Sequence, residues 1–496
     1  MTPSPQQAAF FDWIVDGDGS AIIVAVAGSG KTTTLIGGLE RMQGTKFFGA
    51  FNKKIVEEIA RRVNDAKCTV STMHSAGLKA LRRNAPQART ESHKVRDLWD
   101  QGMKSNPAYK RLEGPVIKLV SLLKQCGCFI IDVDPMDLAL TNIEHHDLDT
   151  SGDIKGETND ELVAKIALRL LHRSNEQGTD IIDFDDMLYL PLLWDCTFTK
   201  YDWVLIDEAQ DTNTVRRMIA ERMVKPRTGR LVAVGDPHQA IYGFTGADST
   251  SLDIIKERFS AIELPLTVTY RCPKRVVEVA QQWVSHIEAH ESAPDGVVTT
   301  SDLPLDQLAK PGDAVLCRFN APLVRNVYAF IGAGVPAQIE GRDIGLNLKN
   351  LARRMKADSI DLLLSLLDDY EEREKNKHLA KGKEGKAQAV EDQCECLRVI
   401  VRRVLELGRQ GDATTIVCNE IDNIFVDGGP TSVVLFSSIH KSKGREWHKV
   451  VWLQMPPSPY AKLDWQSEQE KNLNYVAVTR AKHELVIVPF KQKERK

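Results

Sequence analysis

The chain has 496 residues, 42% of them hydrophobic and 27% charged, which is enough apolar material for packed cores and excludes disorder along most of its length. Lys and Arg number 65 against 68 for Asp and Glu, a net charge of −3. A uniformly basic coat is therefore excluded, and any nucleic-acid contact has to come from a local groove. Nine thinly spread cysteines argue for a reducing compartment rather than a disulfide scaffold. No apolar run approaches the roughly 18 residues of a membrane span, and Met1-Thr2-Pro3-Ser4 opens no signal-like segment. The expectation is a soluble, cytoplasmic chain of about three globular units with no membrane partner.

In chain order, the first strong signal is the β-rich run at residues 21–26, followed by Ala27-Gly28-Ser29-Gly30-Lys31-Thr32-Thr33 and a stretch with helical spacing at Leu35, Ile36 and Leu39. Strand, glycine loop and helix form the opening unit of a parallel α/β sheet. Further short β-like runs are predicted at 46–51, 69–71, 203–206 and 231–234, each ending at polar residues. Buried parallel strands deliver side chains to a site at their carboxyl ends in this way.

From about 76 to 180 helical spacing dominates, with Leu112, Val116, Leu119, Val120 and Leu123 on one face. This reads as a helical insertion into the first α/β unit, which comprises 1–75 and 181–261. A second α/β unit is expected over 262–344 and 431–496, with candidate strands at 314–317, 433–436, 450–453 and 485–488. Residues 345–430 interrupt it with a small helical segment whose middle, 368–386, is highly charged and reads as a solvated helix end or loop.

The glycine loop carries the first piece of chemistry. Glycines let backbone N–H groups turn around phosphate oxygens, and the helix amino terminus adds positive partial charge. Lys31 would reach the outer phosphates and Thr32 would hold Mg²⁺. The pattern departs from its usual form at Ala25, where Gly is customary. The second piece is Val204-Leu205-Ile206-Asp207-Glu208-Ala209-Gln210-Asp211, an apolar strand ending in adjacent carboxylates. Asp207 would lie near the metal and Glu208 would polarise the attacking water. Two acids after a strand are most often a cap or a solvated turn; the pair gains meaning from the lysine loop, because NTP hydrolysis needs a phosphate cradle and a metal-side acid together.

With these motifs in place, the chain resembles a superfamily 1 helicase of the UvrD/Rep group. The resemblance implies two tandem RecA-like parallel-sheet domains, each interrupted by a mainly helical insertion, and a compact second insertion. Gln7 matches the family's adenine-reading glutamine. The segment from Val234 to Phe244 resembles its third motif, in which Gln239 would sense the γ-phosphate and Tyr242 and Phe244 would stack on bases; Thr245 stands where relatives often have Arg. Thr269-Tyr270-Arg271 resembles the fourth motif, with Thr269 in place of a common Asn, Tyr270 stacking on adenine and Arg271 at the γ-phosphate. The segment from Ser438 to Trp447 resembles the fifth, with Glu446 near the ribose and His440 on the nucleic-acid side. That from Asn474 to Lys482 resembles the sixth, with Arg480 as an arginine finger. Phosphoryl transfer gathers negative charge, and the resemblance implies that Arg271 and Arg480 offset it from the second unit when the two units close.

Phe51-Asn52-Lys53 and Thr72-Met73-His74-Ser75 resemble the family's strand-binding segments, with Phe51, Asn52, Thr72 and His74 as contacts. Aromatic faces stack on any base, giving grip without sequence reading. The bland alternatives are a core aromatic for Phe51 and a structural histidine for His74. Weaker constellations are His286 with His290, spaced to share a helix face, the pairs Cys126/Cys128 and Cys394/Cys396, which lack a metal tetrad, and the basic tail 491–496.

The implied function is an ATP-dependent, Mg²⁺-requiring motor on single-stranded DNA and single/double-strand junctions, of 3′-to-5′ polarity, in a bacterial or phage setting. The resemblance also suggests a nuclease or a replication or repair factor as partner. An insertion of roughly 85 residues is about one small domain or less, which points to weak or partner-dependent unwinding. The alternatives are a DNA-stimulated translocase without unwinding of its own, an RNA helicase, since stacking barely distinguishes sugars, and a nucleotide-gated switch indifferent to DNA.

Overall fold

The structure, a computed structural model, describes residues 3–50, 53–63, 65–102, 107–146, 148, 150, 159–241, 251–380, 384–409, 411–426, 432–456 and 464–489. Phe51, Asn52, Tyr242, Phe244 and Thr245 lie outside the described residues. The chain divides into two compact units, Met1–Val26 with Gly30–Leu266 and Ala27–Ser29 with Thr267–Lys496.

The first unit contains β1 (Ala21–Ala25), β2 (Lys46–Ala50), β3 (Cys68–Thr72), β4 (Arg89–Thr90), β5 (Ile181–Ile182), β6 (Trp203–Ile206), β7 (Arg230–Gly235) and β8 (Ile262–Leu266). Six of them form one parallel sheet in the order β3-β2-β6-β7-β1-β8, while β4 and β5 pair separately. Because side chains alternate across a pleat, the central strands feed two cores. Ile22, Val204, Ile206 and Ala233 enter one; Ile23, Leu205, Val232 and Val234 enter the other, with Phe10, Trp13 and Ile14 of the first helix, Pro5–Asp16. That helix ends on Arg230, whose guanidinium lies 4.1 Å from the Trp13 ring centre and 4.3 Å from that of Trp203 while donating to the Gly19, Ile14 and Trp13 carbonyls.

The strand at Ile262–Leu266, assigned from sequence to the start of the second unit, is the outer strand of the first sheet, in register with β1 from Ala21↔Ile262 to Ala25↔Leu266. Pro265 within it lacks an N–H, which an edge strand tolerates. Between β3 and β5 run the helices Met73–Leu81, Lys94–Gly102, Glu113–Cys126, Pro135–His145 and Asn159–Glu176. Leu112, Val116, Leu119, Val120 and Leu123 are all fully buried, as their spacing predicts. A charge-balanced cluster sits in this helical core. Lys94 Nζ lies 2.7 Å from Asp186, Lys124 Nζ lies 2.6 Å from Asp183 and 2.7 Å from Asp186, and Lys94 also donates to the Ser174 carbonyl.

The second unit contains β9 (Val268–Thr269), β10 (Glu288–Ala289), β11 (Val297–Thr300), β12 (Ala314–Cys317), β13 (Ala337–Glu340), β14 (Phe425–Val426), β15 (Val434–Ser438), β16 (Trp447–Gln454) and β17 (Ala481–Pro489). Seven form a parallel sheet in the order β11-β17-β16-β12-β15-β13-β14, and β9 pairs with β10. Two parallel sheets with helical segments between their strands give the α/β class and the RecA-like plan expected from sequence. The helices Arg342–Met355, Ile360–Leu379, Glu384–Glu406 and Ala413–Ile424 fall between β13 and β14. The charged stretch at 368–386 lies mostly in two of these helices, where Arg398 gathers Asp368, Glu371 and Glu395.

Candidate active site

In the first sheet β1, β7 and β6 are consecutive neighbours, so the segments that follow them emerge side by side at one edge. After β1 the chain turns through Gly28 (φ 74°) and Gly30 (φ 81°), conformations that a β-carbon would strain, and enters the helix Lys31–Leu39. Gly30 caps that helix without a side-chain hydrogen bond, so no side chain of its own satisfies the first-turn N–H groups. Ala27 and Ser29 are buried, and the Ser29 hydroxyl has no hydrogen-bond partner. A buried orphan hydroxyl inside a glycine turn at a helix amino terminus fits an anionic ligand with several acceptor oxygens, as a triphosphate has.

After β6 come the carboxylates. The Thr32 hydroxyl donates to Asp207 Oδ2 at 2.7 Å, and Lys31 Nζ lies 3.6 Å from Glu208 Oε2. Burial pushes the Asp207 carboxyl up to about 6, and the neighbouring Glu208 charge adds to the shift against the opposing pull of Thr32 and Lys31. A buried carboxylate held by a threonine hydroxyl is an oxygen donor set suited to a hard divalent cation. Glu208 itself is left-handed, at φ 52°, a strained position for a residue with a side chain and one that clusters at functional sites.

Two residues given no role from sequence complete the arrangement. Gln210 donates from Nε2 to Glu208 Oε2 at 2.6 Å and accepts at Oε1 from the Asp236 N–H at 3.0 Å. Asp236, at the end of β7, in turn accepts at Oδ2 from Gln239 Nε2 at 2.6 Å. A polar chain thus links Lys31, Glu208, Gln210, Asp236 and Gln239. Gln7 stands outside it. It completes a capping box with Ser4 and donates from Nε2 to Thr34 Oγ1 at 2.8 Å on the helix behind the loop. Thr33 is exposed and accepts from Arg62.

In the second unit, Glu446 and Arg480 immediately precede the first residues of β16 and β17, where the Trp447 N–H donates to the Arg480 carbonyl. Arg271 Nε donates to Glu446 Oε2 at 2.6 Å, and Lys482 Nζ lies 3.0 Å from Oε1. Burial favours the neutral Glu446 acid, but Arg271 and Lys482 outweigh it and hold the carboxyl low. Arg480 is 1% exposed; its donors reach the Val476 and Arg445 carbonyls and the Thr479 hydroxyl. Tyr270 is exposed, its ring 4.8 Å from that of His290.

Of the expected strand-binding residues, Thr72 is the N-cap of Met73–Leu81 and accepts from the Ser75 N–H. Burial, reinforced by Arg216, drives His74 down to about 4, and burial with Arg318 and Lys443 drives His440 to about 3. Both shifts favour the neutral imidazole. Phe184, given no role from sequence, is 60% exposed. It stands between Asp183 and Asp186, whose backbone N–H groups and carboxylates pair reciprocally at 3.0 and 2.8 Å above the buried lysines.

His286 and His290 do not share a helix, because the nearest one, Lys274–Ala280, ends before them and β10 separates the two. Among the described residues no group of three or more His, Cys, Asp or Glu side chains is placed to hold a metal, so the histidine and Cys-x-Cys spacings gain no support.

The profile of the UvrD/REP helicase N-terminal domain matches residues 6–260, and that of the UvrD-like helicase C-terminal domain matches 434–488. The chain is 28% identical over 314 residues to the ATP-dependent DNA helicase Rep of Salmonella typhimurium, covering 56% of this chain and 42% of the relative. It is 26% identical over 310 residues to the ATP-dependent DNA helicase PcrA of Staphylococcus epidermidis, covering 57% and 40%. It is 27% identical over 312 residues to the Rep helicase of Escherichia coli, covering 56% and 42%. The matches thus span about two fifths of these relatives' length. No described helix is long and apolar enough to cross a membrane.

Proposed function

Because the chain belongs to the UvrD/REP helicase family, we propose that it is an ATP hydrolase that moves along single-stranded DNA and separates duplex at single/double-strand junctions. The observation that carries this reading is the grouping of Lys31, Thr32, Asp207 and Glu208 at the carboxyl edge of the first sheet, 3.6 and 2.7 Å apart in their two contacts. Residues 27–33 would cradle the triphosphate through backbone N–H groups and the Ser29 hydroxyl, with Gln7 and Tyr270 toward the base and Glu446 toward the ribose. Thr32 and Asp207 would hold Mg²⁺, which when bound supplies positive charge at the phosphate oxygens.

Glu208 then orients and deprotonates the attacking water, and Gln210 fixes that carboxylate by its 2.6 Å hydrogen bond. Gln239, reached through Asp236, reports on the terminal phosphate. Arg271 and Arg480 would contribute positive charge to the reaction. On the strand, Phe51, Tyr242, Phe244 and Phe184 stack on bases, while Asn52, Thr72, His74 and His440 make polar contacts. Since the neutral imidazole is favoured at His74 and His440, they add little to the salt dependence of binding, which falls to Lys and Arg.

The domain division we propose is 1–75 with 181–266, an insertion at 76–180, 267–344 with 431–496, and an insertion at 345–430. The four described helices of the last are a small addition, which supports unwinding that depends on a partner such as a nuclease or a replication or repair factor. Polarity is proposed as 3′ to 5′ and the setting as cytoplasmic. The deciding experiment is the ATPase rate without nucleic acid and with single-stranded DNA or RNA of equal length. Stimulation by DNA above RNA is expected, and hydrolysis indifferent to both would overturn the motor.

A further inference from the structure

Tyr270 directly follows β9 and is exposed. The tyrosine is 47% exposed, and one neighbour of its ring is the imidazole of His290, with centroids 4.8 Å apart and planes inclined at 35°. His290 is itself fixed. Its N–H donates to the Thr269 carbonyl at 3.1 Å, continuing the β9–β10 pairing by one residue, so the two aromatic residues follow paired strand ends. Its Nδ1 accepts from the Ser292 N–H at 3.2 Å and lies 2.7 Å from the Ser292 hydroxyl, and its carbonyl accepts from the Ala293 N–H at 2.8 Å. The imidazole is therefore held by its own turn and serves no metal group among the described residues.

We infer that His290 is a positioning residue that backs the Tyr270 ring and pre-orders it as a stacking platform for the nucleobase. An exposed tyrosine left alone samples several rotamers, and a base binding to it bears the cost of ordering them. A fixed ring behind it removes that cost in advance. The role needs an aromatic face at residue 290 and no particular charge. The inference rests on Tyr270 stacking on adenine, and the test separates the two claims.

Steady-state ATP hydrolysis is measured for wild type, Tyr270→Ala, His290→Ala, His290→Phe and the double alanine variant, with inorganic tripolyphosphate as a competitor that lacks a base. His290→Ala should raise the KM for ATP about 2- to 12-fold, the range of one aromatic pair, with kcat little changed and the tripolyphosphate inhibition constant unmoved. His290→Phe should restore KM, and the double variant should be no worse than Tyr270→Ala. If Tyr270→Ala leaves KM unchanged, the stacking reading itself fails. If it raises KM and His290→Ala does not, the backing role fails alone. Equal weakening of ATP and tripolyphosphate by His290→Ala, or no rescue by Phe, would mark local unfolding and also overturn the inference.

Discussion

The Thr32 hydroxyl donates a 2.7 Å hydrogen bond to Asp207, joining the helix behind the glycine loop to the end of β6. Lys31, the preceding residue, lies 3.6 Å from Glu208, so positive and negative charge meet where a triphosphate would have to be neutralised. Lys31→Ala removes the ammonium and leaves the carboxylates without a counter-charge. ATP turnover should fall by at least about 10²-fold. Full turnover in this variant, measured by phosphate release, would remove the basis of the hydrolase assignment.

Glu208 has a left-handed backbone and accepts a hydrogen bond from Gln210, and it is the proposed base for the attacking water. Glu208→Gln keeps size and hydrogen bonding but cannot accept a proton. Nucleotide binding should persist while kcat drops roughly 10²- to 10⁴-fold. Gln210→Ala should give a smaller kcat loss of the same kind, because it frees the carboxylate without removing it. Unchanged kcat in Glu208→Gln, read alongside nucleotide titration, would assign the base elsewhere.

The glycine loop and the Asp207-Glu208 pair were legible because each is contiguous and follows a β-rich run, so local spacing already fixes which residues share an edge. The buried face of Leu112, Val116, Leu119, Val120 and Leu123 was legible for the same reason. What stayed hidden is non-local. Gln210 gains its role only when β7 brings Asp236 beside it, and His290 meets Tyr270 only through the pairing of two-residue strands 20 residues apart in the register Val268↔Glu288. The edge strand Ile262–Leu266 reads as the opening of a new unit because Pro265 and its exposed residues mask a pairing with the first strand of the chain.

Asp186 faces both Lys94 and Lys124 in a core where all three are buried. Burial favours the neutral acid, but the two ammonium groups prevail and hold the carboxyl low. Asp186→Asn leaves two buried cations opposite Asp183 alone. The cost should be about 3–5 kcal/mol, the range for breaking a buried pair, read as an earlier midpoint in urea unfolding of the first unit. A change under about 1 kcal/mol would mean that water or rearrangement relieves the cations.

Asp202 gives the pH dependence a definite sign. Hydrogen bonds from Lys225 and from the Thr45 N–H and hydroxyl hold its carboxyl at about 2, below the ordinary 3.8, against a small opposing effect of burial. A depressed folded value means that the stabilisation is present above pH 4 and is lost as pH falls toward 2. The side chain is 28% exposed, so solvent screening limits the contribution to about 1 kcal/mol. Asp202→Asn should therefore differ from wild type in unfolding free energy at pH 7, with the difference shrinking between pH 4 and pH 2.5. A difference constant over that range would show that the hydrogen bonds, not the charge, carry the effect.

Phe184 costs the protein something to display, since 60% of a phenylalanine lies in solvent on a turn anchored by two buried aspartates. A rigid turn that presents an apolar ring outward suits stacking on a base, where ordering has been settled during folding. The helix that follows it, Asp186–Leu193, packs against Met73–Leu81, which carries the expected strand residue His74, so the turn lies in the same region as that segment. Phe184→Ala should weaken binding of a labelled oligonucleotide by about 1–3 kcal/mol, while Phe184→Tyr binds as wild type and nucleotide affinity is unchanged in both. Because the ring buries little, thermal stability should hardly move. An unaltered oligonucleotide affinity in Phe184→Ala would take Phe184 out of the strand path and leave its exposure to be explained by a protein contact.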